Sequence, residues 1–476
     1  MKIEKYEKLC ESYDQILLHS SSSKIVANSY LHILKAHPET LNKYCLSQFS
    51  IIYLQLRFGL IALIRVFQSI FTKKHTFRKI PASDILFVSH LTNNQQLSKD
   101  DDAYFGGLPN QLFDQGYKSS IALINAINVK NHKPSNVWRR SKVQRIVLNS
   151  TLTFLSEISL CVAQIKSKKQ LNYIIKNLKI DTLITKAALI YHFSSGTFAA
   201  LRIAIQIENI VKKTNAKYII TTYEGQVWEC LVYYYARKAN PNIKCFGYQH
   251  SAVFEHQNLI RRTLTSNYIP DVILTSGSIA KNLFKQRLLN IDKVFCLGSS
   301  RHLPPSFSSC EVNCCLVIPE GFITECLVLF KISLNYAKEH QNQKFIWRLH
   351  PLLSFDNLIK TSSIFNNLPN NIYLSKGDLD IDIRNCNSVL YRGSSAVVVA
   401  INAGLKPIYY QSSLNEFNID PIYQFQEGKS IVKNLNELRV ALSKDVDQVS
   451  RQSLQDFAQD FYMPFNIDNL LKEMIV

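Results

Sequence analysis

The sequence predicts two α/β domains, each built on a parallel sheet, with a helical extension at the N-terminal end. From residue 84 onwards, short apolar runs alternate with amphipathic stretches, and the alternation stops once, in the proline- and serine-rich stretch 301–313. Repeats of strand, helix and strand imply parallel strands with helices on both faces of the sheet. A length of 476 residues also suits two domains better than a single core.

These patterns divide the chain into five parts. They are a helical extension over 1–80, a first doubly wound domain over 81–302, a linker over 303–313, a second doubly wound domain over 314–450, and terminal helices over 451–476 that return to the first domain. Within the first domain, the stretch 144–214 is expected to be mostly helical. We expect a ligand in a cleft between the domains, because open parallel sheets bind ligands beyond the carboxyl ends of their strands.

Composition limits the class of partner. The net charge is +19, with 46% apolar and 19% charged residues, which is the balance of a globular protein. A basic protein suits an anionic partner such as nucleic acid, an acidic membrane face or a phosphorylated substrate. The sequence has neither the finger spacing nor the aromatic RNA-binding pattern of a nucleic-acid module, so nucleic acid is not expected.

The cysteines predict a reducing compartment and no metal centre. There are 11, and the densest group, Cys310, Cys314 and Cys315, lacks the paired spacing and nearby histidines of a zinc site. The opening residues, MKIEKYEKLCESYDQ, are polar and unlike a secretory signal. We therefore expect a cytoplasmic protein.

One segment of the extension suggests contact with a membrane. Residues 51–71 (IIYLQLRFGLIALIRVFQSIF) are apolar enough to resemble a membrane span, but Arg57 and Arg65 lie inside the segment and five basic or imidazole side chains follow it. An arginine near the bilayer centre costs about 2.5–3.5 kcal/mol. The segment therefore fits an interfacial helix on the inner face of the cytoplasmic membrane, or a buried helix of the first domain, better than a span.

Charged, imidazole and hydroxyl groups stand at the predicted strand ends in both halves of the chain. The candidates are Glu224 after YIITTY, His250 after CFGYQ, Glu320 and Gly321 after LVIP, Arg348 and His350 in FIWRLHP, and Arg392, Gly393, Ser394 and Ser395 after SVLY. Gly225, Gln249 and Glu229 flank the first two and are assigned to the acceptor side of the cleft.

The stretch YRGSSAVVVAINAG has the outline of a phosphate cradle. Gly393 allows a tight turn after a strand, and Ser394 and Ser395 open a helix whose first N–H groups face outward. Arg392 adds a positive charge one residue earlier. A plain serine helix cap would explain one of the two serines equally well.

Arg348 and His350 form a second candidate phosphate contact. They are two residues apart, which places them on the same side of a strand. An arginine supplies fixed charge to a leaving phosphate, and a histidine supplies a charge or a proton. The alternative is a histidine that only completes its hydrogen bonds at a strand end.

Glu224 has two interpretations from local sequence. As an acid in the first turn of a helix it favours the helix dipole. As a carboxylate facing the cleft it can take a proton from an acceptor hydroxyl or attack an anomeric carbon.

In order and spacing, these motifs resemble the GT-B glycosyltransferases that use CMP-activated acidic sugars, which include bacterial sialyltransferases and the Kdo transferases of capsule and lipopolysaccharide synthesis. The set YEGQVWE, GYQHS, PEG, RLHP and RGSSA is more similar still to a group of bacterial surface-carbohydrate biosynthesis proteins. The resemblance covers roughly residues 84–410, and the shared motif within each of these stretches is only two to four residues long.

The resemblance implies roles for the candidates. Glu224 is the general base, His350 contacts the CMP phosphate and aids its departure, and Ser394 and Ser395 hold the same phosphate. No metal or other cofactor is implied. Tyr223 stands where a second acid can occur in the family. GYQHS is also similar to the histidine-glycine motif of glycerophosphate polymerases, with Ser251 in place of glycine, so His250 is the alternative base.

The expected function is transfer of a sugar from a nucleotide donor, a CMP-linked acidic sugar such as Kdo or a sialic-acid-like sugar, to a surface polysaccharide. Two alternatives keep the fold. One is an enzyme that uses a UDP-sugar or CDP-glycerol, and the other is an inactive scaffold that binds a glycan or a partner enzyme.

Overall fold

The computed structural model describes residues 3–475 apart from 35, 42–43, 45–47, 72–79, 128–135, 261, 263, 288–292, 305–312, 352 and 413–416. In the described chain, the strands form two sheets that are parallel throughout. The first sheet contains β1 Ile85–Leu91, β2 Ser119–Asn125, β3 Gln144–Val147, β4 Tyr218–Thr222, β5 Lys244–Gln249, β6 Val272–Thr275 and β7 Val294–Cys296. The second contains β8 Cys314–Pro319, β9 Lys344–Trp347, β10 Ile372–Leu374, β11 Ser388–Arg392, β12 Lys406–Tyr410 and β13 Ser430–Val432.

Helices surround both sheets. The extension contains α1 Ile3–Leu18, α2 Ser23–Val26, α3 Pro38–Leu41 and α4 Gln48–Ile70. The first domain adds α5 Leu108–Asp114, α6 Asn136–Arg140, α7 Phe154–Asn177, α8 Thr182–Tyr191, α9 Ser195–Thr214, α10 Val227–Ala239 and α11 Ser278–Arg287. The second adds α12 Ile323–Glu339, α13 Phe355–Thr361, α14 Leu379–Arg384, α15 Ala396–Asn402 and α16 Leu435–Ser443, and the chain ends with α17 Gln448–Phe461 and α18 Ile467–Ile475.

Both sheets reverse their strand order at the first strand of their domain. The first has the order β3-β2-β1-β4-β5-β6-β7 and the second β10-β9-β8-β11-β12-β13. This doubly wound order creates a crevice at the carboxyl ends of β1 and β4 in one domain and of β8 and β11 in the other. The predicted fold class, two Rossmann-like domains of GT-B type, is confirmed.

Two local expectations are wrong. Residues 144–147 begin the stretch expected to be helical, but they form β3 at the edge of the first sheet. This strand has only four residues, which is too short to show a period, and its apolar residues Ile146 and Val147 lead on to Leu148 and the following helical stretch. The strand that was expected to run through Arg348 and His350 ends at Trp347, so the two side chains lie in the loop beyond it.

The last two helices connect the domains. Phe457 and Leu454 of α17 pack in the core of the second domain, whereas Leu470 and Met474 of α18 pack in the core of the first. The hydroxyl of Tyr218, in β4, donates to the carbonyl of Met474. The first domain therefore includes a helix from the far end of the sequence.

The crossing segment passes directly over Gly277. A methyl group at this position would fall well inside van der Waals contact of the backbone carbonyl oxygens of Asp460 and Phe461. The neighbouring backbone of Ser276 accepts from Met463 N–H at 3.0 Å. The close approach therefore requires glycine for reasons of space.

We predict that Gly277→Ala destabilises the protein by about 2 kcal/mol or more, because backbone has to move to admit the methyl group. Urea unfolding measures the change. Gly59→Ala is the matched control, since an added Cβ at this helical position meets no atom within 4 Å. Equal stability of Gly277→Ala and the wild type would contradict the tight crossing.

Candidate functional site

The carboxylate of Glu224 lies just beyond the end of β4, at the crevice of the first domain. Ser251 Oγ donates to Glu224 Oε1 at 2.7 Å, and His250 Nε2 lies 3.7 Å from the same oxygen. The Glu224 side chain remains 34% exposed. It is therefore held by protein contacts on one side and open to solvent on the other.

Glu229 fixes the loop that carries Glu224. Its carboxylate accepts from the backbone N–H of Glu224 at 3.0 Å and of Gln226 at 2.8 Å, and from Thr222 Oγ1 at 3.2 Å. The side chain is fully buried at the start of α10. Burial, and then the charge of Glu224, raise the pKa of Glu229 well above its usual range. Glu229 is thus a positioning residue, and its assignment to the acceptor side is wrong.

The other two acceptor-side candidates also lie inside the protein. Gln249 is buried, and its side-chain amide donates to the carbonyl of Ser251, so it supports the loop and does not face the acceptor. Gly225 is buried beneath Leu259 with φ of 82°, a left-handed value that lets the chain turn between β4 and α10. Its contribution is the turn that presents Glu224.

His250 is buried beside Glu224. Its ring packs edge-on against Tyr104, with 4.7 Å between ring centroids. Burial lowers the pKa of His250 to about 4, against the opposing attraction of Glu224. Its Nδ1 has no hydrogen-bond partner among the described residues. At neutral pH, His250 is an uncharged imidazole.

His90, near the end of β1, is a third member of this group that the sequence reasoning missed. Its ring lies against Trp228, with centroids 5.1 Å apart, and against Tyr104 at 5.7 Å. Burial lowers the pKa of His90, and the charge of Glu224 opposes this shift. The signal was present, because His90 stands at the end of a strand in the same way as His250.

Glu224 is the ionised member of the group at neutral pH. Burial alone would raise the pKa of Glu224, but His250 and the hydrogen bonds of Ser251 and Gln226 outweigh that effect, and the pKa is lowered. A carboxylate beside two uncharged imidazoles has the charge state that a general base needs.

Arg301 is a second residue that the sequence did not single out. It is exposed just before the linker, its guanidinium donates to the hydroxyl of Tyr462 at 3.3 Å, and it lies over the Tyr462 ring. Its positive charge contributes to the lowered pKa values of both His250 and His350. Arg301 is therefore within electrostatic reach of the candidate residues of both domains.

Arg392 does not face the cleft, which corrects its assignment to the phosphate. Its side chain is fully buried, Nε lies 2.5 Å from Glu325 Oε2, and Nη1 donates to the carbonyl of Tyr410 at 3.2 Å. A buried carboxylate needs such a partner, since an unpaired buried charge is costly. The guanidinium is occupied by Glu325 on α12.

Glu320 is also engaged inside the protein. His37, in the N-terminal extension, contacts Glu320 Oε1 through Nε2 and lies 4.0 Å from Glu325 Oε1. The ring of His37 stacks on Phe322, with centroids 4.9 Å apart. The predicted contact of Glu320 with a nucleotide is replaced by this contact with the extension, which no local sequence pattern indicated.

His37, Glu320 and Glu325 have their ligand atoms within 4.8 Å of one another, close enough for a metal ion. Glu325 is already paired with Arg392, and His37 with Glu320. Because Arg392 supplies the positive charge, we interpret the cluster as a buried ion-pair network and not as a metal site.

The serine loop of the second domain lies beside Glu320, and within Arg392–Ser395 only Ser395 is partly exposed. Gly393 has φ of 69° and packs directly over the Glu320 carboxylate, so a side chain at this position would collide with it. Ser395 begins α15 without a side-chain capping bond, so it does not act as the plain cap considered above. Ser394 is 9% exposed and Ser395 is half-buried.

His350 lies over Gly321 beside this loop. A Cβ at Gly321 would be 3.2 Å from His350 Nδ1, so the absence of a side chain allows the close approach. Burial lowers the pKa of His350, with Glu320 opposing and Arg301 adding to the shift. The half-buried ring is thus uncharged at neutral pH.

Arg348 points away from His350. Its Nη1 lies 2.7 Å from Asp382 Oδ2 in α14, and it donates to the carbonyl of Gly377 at 2.8 Å and to Ser375 Oγ at 3.1 Å. The expectation of a paired arginine and histidine is wrong, because the strand ends before both residues. Arg348 secures the loop that precedes α14.

The structure therefore brings the candidates into two groups. Glu224, His250 and the added His90 form the first, and His350, Gly321, Gly393, Ser394 and Ser395 form the second, with Arg301 within electrostatic reach of both.

No family model matches the sequence, and no curated protein matches it significantly. Solved structures with similar folds include the glycosyltransferase of kitacinnamycin, at 10% identity over 80% of this chain and 95% of its own, with a TM-score of 0.47. A glycosyltransferase from Rickettsia africae ESF-5 is 12% identical over 83% and 97%, with a TM-score of 0.46. The UDP-GlcNAc 2-epimerase from Methanocaldococcus jannaschii is 12% identical over 79% and 98%, with a TM-score of 0.43. These similar structures include both transferases and an epimerase, so structural similarity at this level does not assign a reaction to this protein.

We predict that protonation of His250 makes the protein less stable in acid. Its pKa in the folded protein lies below its value in the unfolded chain, so its full contribution is present above about pH 6.5 and is lost as the pH falls towards 4. The loss is up to about 3 kcal/mol, from about 1.4 kcal/mol for each pKa unit.

Urea unfolding between pH 7 and 4 measures this dependence. We expect His250→Asn to flatten the curve and His19→Asn, at an exposed position just after α1, to leave it unchanged. A His250→Asn curve parallel to the wild-type curve would show that the imidazole is not buried uncharged.

Proposed function

We propose that this protein is a glycosyltransferase in which Glu224 is the general base. The observation that carries the proposal is the state of this carboxylate. It is ionised, partly exposed at the crevice of the first sheet, held by Ser251, and carried on a loop that the buried Glu229 fixes.

The reaction follows from the two groups of residues. Glu224 accepts the proton of an acceptor hydroxyl, whose oxygen then bonds to the anomeric carbon of the donor sugar. The bond between that carbon and the phosphate oxygen breaks, and the nucleotide leaves with the electron pair. Hydroxyl groups of Ser394 and Ser395, an N–H of His350 and the charge of Arg301 supply the stabilisation that the departing phosphate needs.

For the donor we propose a CMP-linked acidic sugar such as Kdo or a sialic-acid-like sugar, and for the acceptor a growing surface polysaccharide of the capsule or lipopolysaccharide type. The resemblance of the motifs supports this choice. Because Arg301 and the hydroxyl groups can balance the phosphate charge, we propose a reaction without a metal ion. We place the enzyme in the cytoplasm, at the inner face of the cytoplasmic membrane.

A second candidate keeps the fold and changes the base. His250 is uncharged, and its Nδ1 has no partner among the described residues, so it could accept a proton itself. This would suit a CDP-glycerol-type transferase. A UDP-sugar donor fits the same phosphate contacts as CMP.

We predict that Glu224→Gln lowers kcat by about 100-fold or more, because loss of a general base typically costs a factor of 10²–10⁴. The substitution keeps the size of the side chain, so the melting temperature should change little. Glu255→Gln, a second acid near the cleft that accepts a hydrogen bond from Asn418, is the matched control and should retain activity. Full activity of Glu224→Gln together with a dead His250→Asn would make His250 the base.

We predict that CMP binds more tightly than CDP or UDP in isothermal titration. Ser394→Ala/Ser395→Ala and Arg301→Ala should each weaken binding by about tenfold or more, since a hydrogen bond to a charged group contributes about 1.5–3 kcal/mol. Lys376→Ala, outside both groups, should bind as the wild type does. Tighter binding of UDP would change the donor class, and no binding of any of the three nucleotides would favour the inactive scaffold.

A further inference from the structure

The helix α4 exposes an apolar face that a water-soluble surface does not normally have. Its large exposed side chains are 45–83% accessible and recur at helical spacing, and they are Ile52, Tyr53, Leu56, Leu60, Leu63, Ile64, Phe67 and Ile70, with Phe71 just beyond the helix. Contiguous exposed apolar surface of this kind marks a place of contact with a partner or a membrane.

The neighbouring helix α7 extends this surface. It packs against α4 and exposes Phe154, Leu155, Ile158, Val162, Ile165 and Tyr173, by 39–77%. The exposed apolar side chains of α4 and α7 are called the docking face below. The other side of α4 is fixed to the first domain, where Phe58 is buried with its ring 5.4 Å from Tyr191.

The exposed charges on the two helices of the docking face are all positive. α4 contains no acidic residue, and the single acid of α7, Glu157, is buried and paired with Arg202 at 2.7 Å. Exposed cations on the two helices are Arg57, Lys166, Lys169 and Lys176. The sequence that follows α4, TKKHTFRK, adds further basic residues and lies outside the described part of the chain. An apolar face on two helices whose exposed charges are positive complements an anionic lipid surface.

By length and composition, α4 is long and apolar enough to cross a membrane, and its 23 residues span about 35 Å. However, α4 packs against α7, α8 and α9, and these contacts hold one side of the helix against the protein. Arginine side chains on a helix that lies flat can reach the headgroups, whereas Arg57 and Arg65 would be costly within a span. The geometry fits a helix that lies in the interface.

A cavity opens beneath α4, between this helix and the first sheet. Its volume is about 320 Å³, and it is lined by apolar side chains of α4 and α9 together with Arg65, Asn125 and Asn149. Its lining includes Ile124, near the end of β2, which pairs in register with His90 of β1. Paired residues of adjacent strands project to the same side of a sheet. The cavity therefore lies one strand away from the group that contains Glu224.

We propose that the docking face binds an anionic bilayer and that the cavity beneath α4 receives the head of an acceptor carried by a lipid of that bilayer. The second half of this inference rests on the proposed function, which supplies the need for an acceptor. The first half does not depend on catalysis. A lipid-borne acceptor would enter from the membrane side and present its hydroxyl at the crevice where Glu224 lies.

Flotation of the full-length protein with vesicles tests the docking. We expect binding to phosphatidylcholine mixed with phosphatidylglycerol in a three-to-one ratio, and weaker binding to phosphatidylcholine alone. Leu56→Glu/Leu60→Glu should lower the bound fraction at least about tenfold, because it places two charges on the apolar face. Val440→Glu/Val449→Glu is the matched control, with two exposed aliphatic side chains of α16 and α17, and should bind as the wild type does.

Three outcomes would overturn the docking. The first is that the wild type binds neither vesicle. The second is that Leu56→Glu/Leu60→Glu binds the vesicles as well as the wild type does. The third is that light scattering finds a dimer of the wild type and a monomer of this variant, because a second copy of the chain would then cover the face. Resistance of the bound protein to alkaline carbonate would show a span in place of docking.

Binding of decyl phosphate, measured by titration calorimetry below its micelle concentration, tests the cavity without any need for activity. We expect decyl phosphate to bind and inorganic phosphate not to, and we expect Ala199→Trp, which fills the cavity from α9, to abolish binding while vesicle flotation is unchanged. Equal binding by Ala199→Trp and the wild type would overturn the cavity assignment. Absence of sugar transfer with every donor would reject the proposed function and leave both binding results standing.

Discussion

The buried ion-pair network around Glu325 is the interaction on which the second domain depends. Two carboxylates, Glu320 and Glu325, are removed from water, and each has a specific partner: Arg392 pairs with Glu325, and His37 with Glu320. Removing Arg392 would leave the buried charge of Glu325 uncompensated, which is strongly destabilising. Because His37 belongs to the extension and Glu325 to α12, the network also ties the N-terminal helices to the domain that is assigned the donor.

A similar arrangement supports the first domain. Glu229 is buried so that its oxygens can accept the backbone N–H groups of the loop that carries Glu224. In both domains, a buried acid holds a segment that borders the cleft: Glu229 holds the loop of Glu224, and Glu325 holds Arg392, which precedes the serine loop. The two glutamates of YEGQVWE therefore differ in environment: Glu229 is buried and positions the loop, whereas Glu224 is partly exposed and is the one that we propose as the base.

The sequence was sufficient for the fold class and for the ends of most strands, because local periodicity indicates both, although it missed β3 and placed the end of β9 too late. The sequence did not predict the role of a residue correctly where that role depends on a contact with a residue far away in the chain. Arg392 looks like a phosphate ligand beside RGSS, but Glu325 occupies it from 67 residues away. Arg301 looks like linker, and only the fold brings its charge near His250 and His350. His37 precedes a proline in a polar stretch, and nothing local indicates its contact with Glu320.

The two places where the chain passes between the domains lie side by side. The backbone of Ser299 donates to the carbonyl of Met463 at 2.8 Å, and the ring of His302 lies 2.8 Å from the carbonyl of Tyr462. Arg301 lies in the chain between Ser299 and His302, and its guanidinium donates to the hydroxyl of Tyr462, so its charge stands where the two connections meet. A cation at such a crossing belongs to neither domain alone, and this explains why its charge reaches His250 and His350 alike.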